Sequence, residues 1–488
     1  MNRKISRRNF LGEASCKAVG TTAFLSSILN LGMINTLSAR PHIITNTNDY
    51  KAMVCILLAG GADTHNVLIP TEQSEYNDYK ATRGDLALNF NDPDGAPDEA
   101  IALDYSTNGK TYAIHSGMTA VRDLFNDGNL AFLANIGTLI EPIANESEYF
   151  SGSKKLPLGL YSHSDQIMHW QTSVPQSRSA VGVGGRMADI LKDMNTIPEV
   201  SMNISLAGKN RFQTGNNVIE YAISRNSNVD NIGFDGFNNV NGETGFLNDL
   251  KNNTVKSLAE ESYQNIFEST IGSLTNQTSE SIEIMQAAFA NIVPLSTTFS
   301  DNNLSEDLKK IAETISVRSH LGANRQIFFV TVGGWDHHDN VKGNMDVMMP
   351  MVSNAMGEFY AAMEELNMEN DVVTFTISDF ARTLTSNGNG SDHAWGGNQM
   401  IMGGMLNGKQ IYGDYPSLAI NNNDLNISDR GRIIPTTSVD EFYAELALWF
   451  GVSPNDLNYV LPNLCNFYAS SNCTVPPDAN YSPLGMFS

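Results

Sequence analysis

Cysteine is scarce in this chain, with four among 488 residues. That excludes a small disulfide-stapled scaffold and a cysteine-built zinc module. Positive charge is also short: 30 Lys and Arg face 53 Asp and Glu, for a formal net charge of −23. The first 39 residues hold five basic side chains and one acid, so the rest of the chain stands at −27. A surface this acidic argues against nucleic acid or an anionic membrane as partner. Beyond residue 40 no apolar run is long enough to span a bilayer, and there is no internal repeat and no long low-complexity linker. About 450 residues remain after the N-terminal segment, enough for one large α/β domain with insertions or for two domains.

What the chain does have begins at its N-terminus. Ser6-Arg7-Arg8-Asn9-Phe10-Leu11 is a twin-arginine export motif, followed by a weakly apolar stretch over 18–33 and a small-residue exit at Leu37-Ser38-Ala39. These features predict a signal peptide over 1–39, recognition by the twin-arginine translocase, cleavage near Ala39 and a periplasmic or secreted product with no membrane span. Cys16 leaves with the signal. Cys465 and Cys473 lie close together in a Pro- and Asn-rich tail and can form a small-loop disulfide in an oxidising compartment. Cys55 falls inside an apolar run and reads as a buried residue.

That run, Val54-Cys55-Ile56-Leu57-Leu58-Ala59, ends in Gly60-Gly61-Ala62-Asp63-Thr64-His65-Asn66. Short, β-branched at its start and closed by glycines, it predicts a buried strand opening onto a site, with Asp63 at its carboxyl end. Asp63 bonding nearby backbone in an ordinary turn is the competing reading. Residues 71–111 are polar and read as a surface excursion. A helical pattern through Met118, Val121, Leu124 and Phe125 leads to a second strand over 129–137, and Val183-Gly184-Gly185-Arg186 opens another helix. Residues 206–325 read as a helical insertion with helices over 246–267, 279–292 and 304–320. Strands over 326–332 and 371–377 flank a helix over 345–366, and Ser438 is a plausible N-cap for a helix over 440–450. Strands alternating with helices predict a doubly wound, mostly parallel α/β sheet covered on both faces.

Each returning strand ends in acids with histidine or arginine. Val332 is followed by Gly333-Gly334-Trp335-Asp336-His337-His338, and Ile377 by Ser378-Asp379-Phe380-Ala381-Arg382-Thr383; Ser391-Asp392-His393 comes shortly after. A single Asp-x-His is usually a hydrogen-bonded turn, but its repetition at successive strand ends points to a metal site. Imidazole with carboxylate suits zinc, manganese or iron, whereas oxygen ligands alone suit magnesium or calcium.

The export motif, Leu58-Ala59-Gly60-Gly61-Ala62-Asp63, Ser162-His163-x-Asp165, Gly333-Gly334-Trp335-Asp336-x-His338, Ser378-Asp379-Phe380-x-Arg382-Thr383 and Ser391-Asp392-His393-x-x-Gly396-Gly397, in that order, resemble the exported "domain of unknown function fifteen-oh-one" family over nearly the whole mature chain. That family is placed with the alkaline phosphatase and sulfatase superfamily. The resemblance implies an alkaline-phosphatase/sulfatase-like domain over 40–488 that cleaves phosphate or sulfate esters with a divalent metal, zinc, manganese or calcium. It implies Asp63, Asp336, His338, Asp379, Asp392 and His393 as metal residues, although Phe380 stands where the phosphatases have histidine, so one or two metals remain open.

It also implies a nucleophile at a helix start, where free N–H groups favour an anion. Ser162 is the first choice and Ser164 the second; Ser162 followed by Asp165 is equally an ordinary capping arrangement. His163 is a base, a metal ligand or a nucleophile, and Arg382 either holds the substrate anion through paired hydrogen bonds or pairs with an acid. The implied reaction is in-line displacement through a seryl ester on a small-molecule or glycan ester, polysaccharide included. The alternative is a secreted binding or assembly protein with a structural or vestigial metal site.

Overall fold

The computed structural model describes residues 49–91, 93, 95–218, 220–223, 225, 280–468, 477 and 481–487. The signal segment over 1–39, the Asn-rich loops over 224–243 (Arg225 apart), the helix expected over 246–267 and Cys473 lie outside the described residues. Cys465 is disulfide-bonded. No helix among the described residues is long and apolar enough to cross a membrane.

The first half of the chain forms β1 (Lys51–Leu58), β2 (Leu68–Pro70), α1 (Gln73–Arg83), β3 (Ala100–Thr107), β4 (Lys110–His115), α2 (Thr119–Asn126), β5 (Leu130–Gly137), α3 (Glu146–Ser151), α4 (His163–Thr172), α5 (Val183–Leu191), β6 (Asn203–Ser205) and β7 (Tyr221–Ala222). The second half adds α6 (Asn303–Ser316), β8 (Arg325–Val332), α7 (Val341–Glu365), β9 (Val372–Ser378), β10 (Gly397–Gly403), β11 (Ile411–Tyr412), β12 (Thr437–Ser438) and α8 (Val439–Phe450). Among the described residues the main sheet runs β11-β5-β10-β9-β1-β8-β6-β7, with β12 also on β5. Every pair in it is parallel except those made by β10. The mostly parallel α/β sheet with helices, expected from the alternation of elements, is the observed architecture.

Alternation along β1 explains why its sequence is apolar throughout. Ala52, Val54, Ile56 and Leu58 enter one core with Phe328, Leu308, Ile311, Met345, Met349 and Phe359 from β8, α6 and α7. Met53, Cys55 and Leu57 enter the other with Phe329, Phe375, Met187, Phe442 and Tyr443. A strand covered on both faces has no polar side. Ser438 caps α8 in a full capping box with Glu441.

Two segments differ from expectation. Residues 71–111 are no loose excursion: α1 buries Tyr76, Tyr79 and Arg83 on one face, and β2, β4 and β3 form a small antiparallel sheet. In the region read as an insertion, α6 places Leu304, Leu308, Ile311 and Ile315 in the core shared with β1 and β8, and β7 extends the main sheet beside β6.

Register then sets the site. Leu58 lies opposite both Val332 and Ser378, so β1, β8 and β9 end at one level. Antiparallel β10 begins at the same edge, with Gly397 opposite Ile136 near the carboxyl end of β5. The loops carrying Asp63, Asp336 to His338, Asp379 to Arg382 and Asp392-His393 therefore meet at the carboxyl edge of the sheet.

Candidate metal centre

Asp336 stands in the middle of that edge. Its Oδ1 lies 3.1 Å from His338 Nε2 and 3.5 Å from His393 Nε2, and its Oδ2 lies 3.5 Å from His163 Nε2. His338 Nε2 and His393 Nε2 face each other at 3.0 Å. Each imidazole is held from behind by its other nitrogen. His163 Nδ1 is 2.7 Å from Asp379 Oδ2, His338 Nδ1 is 3.3 Å from Asp392 Oδ1, and His393 Nδ1 is 2.8 Å from the Tyr161 carbonyl.

Carbonyl and carboxylate oxygens accept, so Nδ1 is the donor in each of these pairs and Nε2 is the atom that each ring turns toward Asp336. Lone pairs converging on a carboxylate repel one another unless a cation lies between them. The donor set, three imidazole nitrogens and a carboxylate with oxygen acceptors behind the rings, fits a transition-metal ion. His163, Asp336 and His393 can each offer one ligand atom with all three within 4.8 Å of one another. The side chains remain open to solvent, Asp336 and His338 at 46% exposure each. A ligand can reach them.

Local electrostatics favour the ligand forms of Asp336 and His393. Burial pushes the Asp336 carboxyl up, but the Arg382 hydrogen bond and charge, with His338 and His163, outweigh it and hold it below the usual range. Burial pushes His393 down, against the pull of the Tyr161 carbonyl. Burial raises Asp379, opposed by the Gly60 N–H and by His163.

The expected metal residues thus divide. Asp336, His338 and His393 converge, and His163 joins them. Asp379 and Asp392 stand behind His163 and His338, where they orient rings instead of facing the centre. Asp63 is buried and ion-paired with Arg83, whose Nη1 also donates to the Thr383 and Leu384 carbonyls at 3.1 and 3.4 Å. Phe380 packs its ring 4.8 Å from that of His163 and 4.5 Å from that of His393, and adds no ligand. Among the described residues no second such donor set adjoins this one, with Asp63 paired to a guanidinium and the Phe380 ring packed between His163 and His393.

Arg382, expected to hold an anion, is fully buried with every guanidinium nitrogen engaged. Nε donates to Gly61 O at 2.6 Å, Nη1 to Ser391 O at 3.1 Å, and Nη2 to Gly60 O at 2.6 Å and Trp335 O at 3.2 Å as well as to Asp336. It straps the strand-end loops together. Gly61 lets the Phe380 ring pack against this loop: its φ is +76°, and a Cβ there would meet that ring at 2.4 Å.

Ser162 occupies the N-cap position of α4, yet its hydroxyl makes no capping bond. It bonds Asp165 and lies 3.2 Å from Ser164 Oγ. Asp165 is held below the usual carboxylate range chiefly by its hydrogen bond to Arg178. Among secondary candidates, Asn66 is bonded to Tyr79 and Leu86, and His169 to the Leu158 carbonyl, both as internal ties. His115 is buried 3.2 Å from Asp346. Trp335 and Trp395 are buried wall residues, and the Trp395 indole donates to Thr138 O.

The family model described as "Protein of unknown function (DUF1501)" matches residues 236–459. That span holds Asp336, His338, Asp379, Arg382, Asp392 and His393 but stops short of Asp63 and the 161–165 segment, a narrower match than the motif order implies. No curated protein matches the chain. Similar solved structures include Ps i-CgsB in complex with k-i-k-neocarrahexaose, at 10% identity and a TM-score of 0.30 over 82% of this chain and 72% of that one. Another is the lipoteichoic acid synthase LtaP from Listeria monocytogenes, at 10% identity and a TM-score of 0.29 over 80% of this chain and 75% of that one. At such scores the reading of the site rests on its own geometry.

Proposed function

We propose that the chain is an exported, metal-dependent hydrolase of sulfate or phosphate esters that uses one divalent cation. The observation that carries this is the convergence of three Nδ1-anchored imidazoles on the Asp336 carboxylate at the solvent-open carboxyl edge of the sheet. His163, Asp336, His338 and His393 would hold the cation, which supplies Lewis acidity at an ester oxygen. Asp379, Asp392 and the Tyr161 carbonyl fix the rings, and Arg382 fixes the loops. Ser162, next to His163 and free of capping duty, would attack the ester centre, a role supported by the resemblance of Ser162-His163-x-Asp165 in the motif order.

The test is turnover of p-nitrophenyl phosphate and p-nitrophenyl sulfate by protein loaded with zinc or manganese, beside Ser162→Ala and Asp336→Ala. Loss of turnover in both variants is expected. Full turnover in Ser162→Ala would remove the serine from the mechanism and leave the metal reading standing. A non-catalytic binding protein is the second reading, favoured by Phe380 in a ligand position and by Arg382 being spent on the scaffold. Bound metal without turnover on either ester is its signature.

A further inference from the structure

We propose that Arg432, seated on the ring of Tyr161, is the residue that recognises the tetrahedral oxyanion of the substrate. The inference rests on the ester-hydrolase reading and assigns that site its specificity-determining residue. Around an acidic cluster in an acidic chain, an anionic substrate needs a cation that is not already neutralised, and the nearby arginines are committed: Arg83 to Asp63, Arg178 to Asp165, Arg382 to Asp336 and the loop carbonyls, and Arg430 to Asp392 at 2.9 Å and to Thr385.

Arg432 differs. Its Nε donates to the carbonyl of His393 at 2.9 Å, and its guanidinium lies 4.3 Å from the centroid of the Tyr161 ring. Nη1 and Nη2 have no hydrogen-bond partner among the described residues. A guanidinium anchored through Nε and stacked on one face retains the two-nitrogen edge that pairs with two oxygens of a sulfate or phosphate group. The anchor ties it to the backbone of His393, whose imidazole is one of the three that face Asp336.

Tyr161 supplies an independent sign that the pair is built for a purpose. Its φ is +73°, a left-handed conformation that a bulky residue adopts only when its surroundings impose it. Here three contacts do so: the Tyr161 carbonyl accepts from His393 Nδ1, its hydroxyl lies 3.3 Å from that of Tyr149, and its ring carries Arg432. The same strained residue thus aims a metal-binding imidazole and supports the free cation, directly before Ser162 and His163.

The experiment is calorimetric titration of the metal-loaded full chain with inorganic phosphate and, separately, with inorganic sulfate, for wild type, Arg432→Gln and Arg432→Lys. Metal content and unfolding midpoint are measured on each. Wild type is expected to bind at least one anion saturably, and the better-bound anion names the ester class. Arg432→Gln should bind it roughly ten- to a hundredfold more weakly with metal content unchanged, from the loss of charge-assisted hydrogen bonds. Arg432→Lys should fall between, keeping charge and losing the paired edge; if Arg432→Gln fails to hold metal, the lysine variant carries the comparison. Equal affinity in wild type and variants, or no binding of either anion to wild type, overturns the assignment. Ester turnover is scored separately, so an active wild type with unaltered anion binding in Arg432→Gln sinks this inference alone.

Discussion

Replacing Arg83 with methionine is the sharpest probe of what Asp63 does. Both side chains are fully buried, and the guanidinium serves two elements at once, bonding the Asp63 carboxylate after β1 and the carbonyls of Thr383 and Leu384 after β9. Removing it leaves a buried carboxylate whose Oδ1 already lacks a partner. Breaking a buried pair from one side costs about 3–5 kcal/mol, so Arg83→Met should lose that much in urea unfolding followed by tryptophan fluorescence. Asp63→Asn is milder, because an amide oxygen still accepts from Arg83 and the two carbonyls keep the guanidinium; a loss of about 1–3 kcal/mol is expected. The double variant should be less damaged than the sum of the singles, since each removes what the other leaves unpaired. Asp63→Asn should also keep its metal. A loss under about 1 kcal/mol in Arg83→Met, or a metal-free Asp63→Asn of normal stability, would refute the structural-pair reading and restore Asp63 as a ligand.

Two other predictions concern buried carboxylates. Asp379→Asn should weaken metal affinity roughly ten- to a hundredfold, measured by competition with a chelating dye, because it loosens the tie on His163 Nδ1. Asp440, fully buried at the start of α8, has its carboxyl pushed up to about 7 by burial, against the nearby Ser173 hydroxyl, the charge of Arg186 and the hydrogen bond from Ser438. The folded state holds that proton more tightly than the unfolded chain, so its contribution to stability is full below about pH 4, falls as pH rises to about 7 and is level beyond. In unfolding midpoints against pH, Asp440→Asn should flatten that fall; an unchanged slope would contradict the assignment.

Much of this was legible in the residues, for physical reasons that differ from place to place. The strands β1, β8 and β9 are buried on both faces, so they stand out as apolar runs, and each breaks off in glycine and acid where backbone and ligand must meet. Register then aligned the three ends, which no single run announces. Arg83 was missed because 71–111 is polar on average, although Tyr76, Tyr79 and Arg83 recur at i, i+3 and i+7 on one helical face. The difference between Asp336, which faces the centre, and Asp379 or Asp392, which stand behind histidines, is invisible in sequence, since the same residue type serves both purposes. Arg432 carried no signal: it lies 39 residues beyond His393 in a loop, and only the fold seats it on Tyr161.

The central claim is a single cation held by His163, Asp336, His338 and His393. The direct measurement is metal content by elemental mass spectrometry on protein exported through its own signal, with Asp336→Ala, His393→Ala and Asp63→Asn prepared alongside. One equivalent of a divalent transition metal is expected in wild type and in Asp63→Asn, and its loss is expected from Asp336→Ala and His393→Ala. Wild type that takes up no metal after reconstitution, or an Asp336→Ala variant that keeps it, would contradict the account.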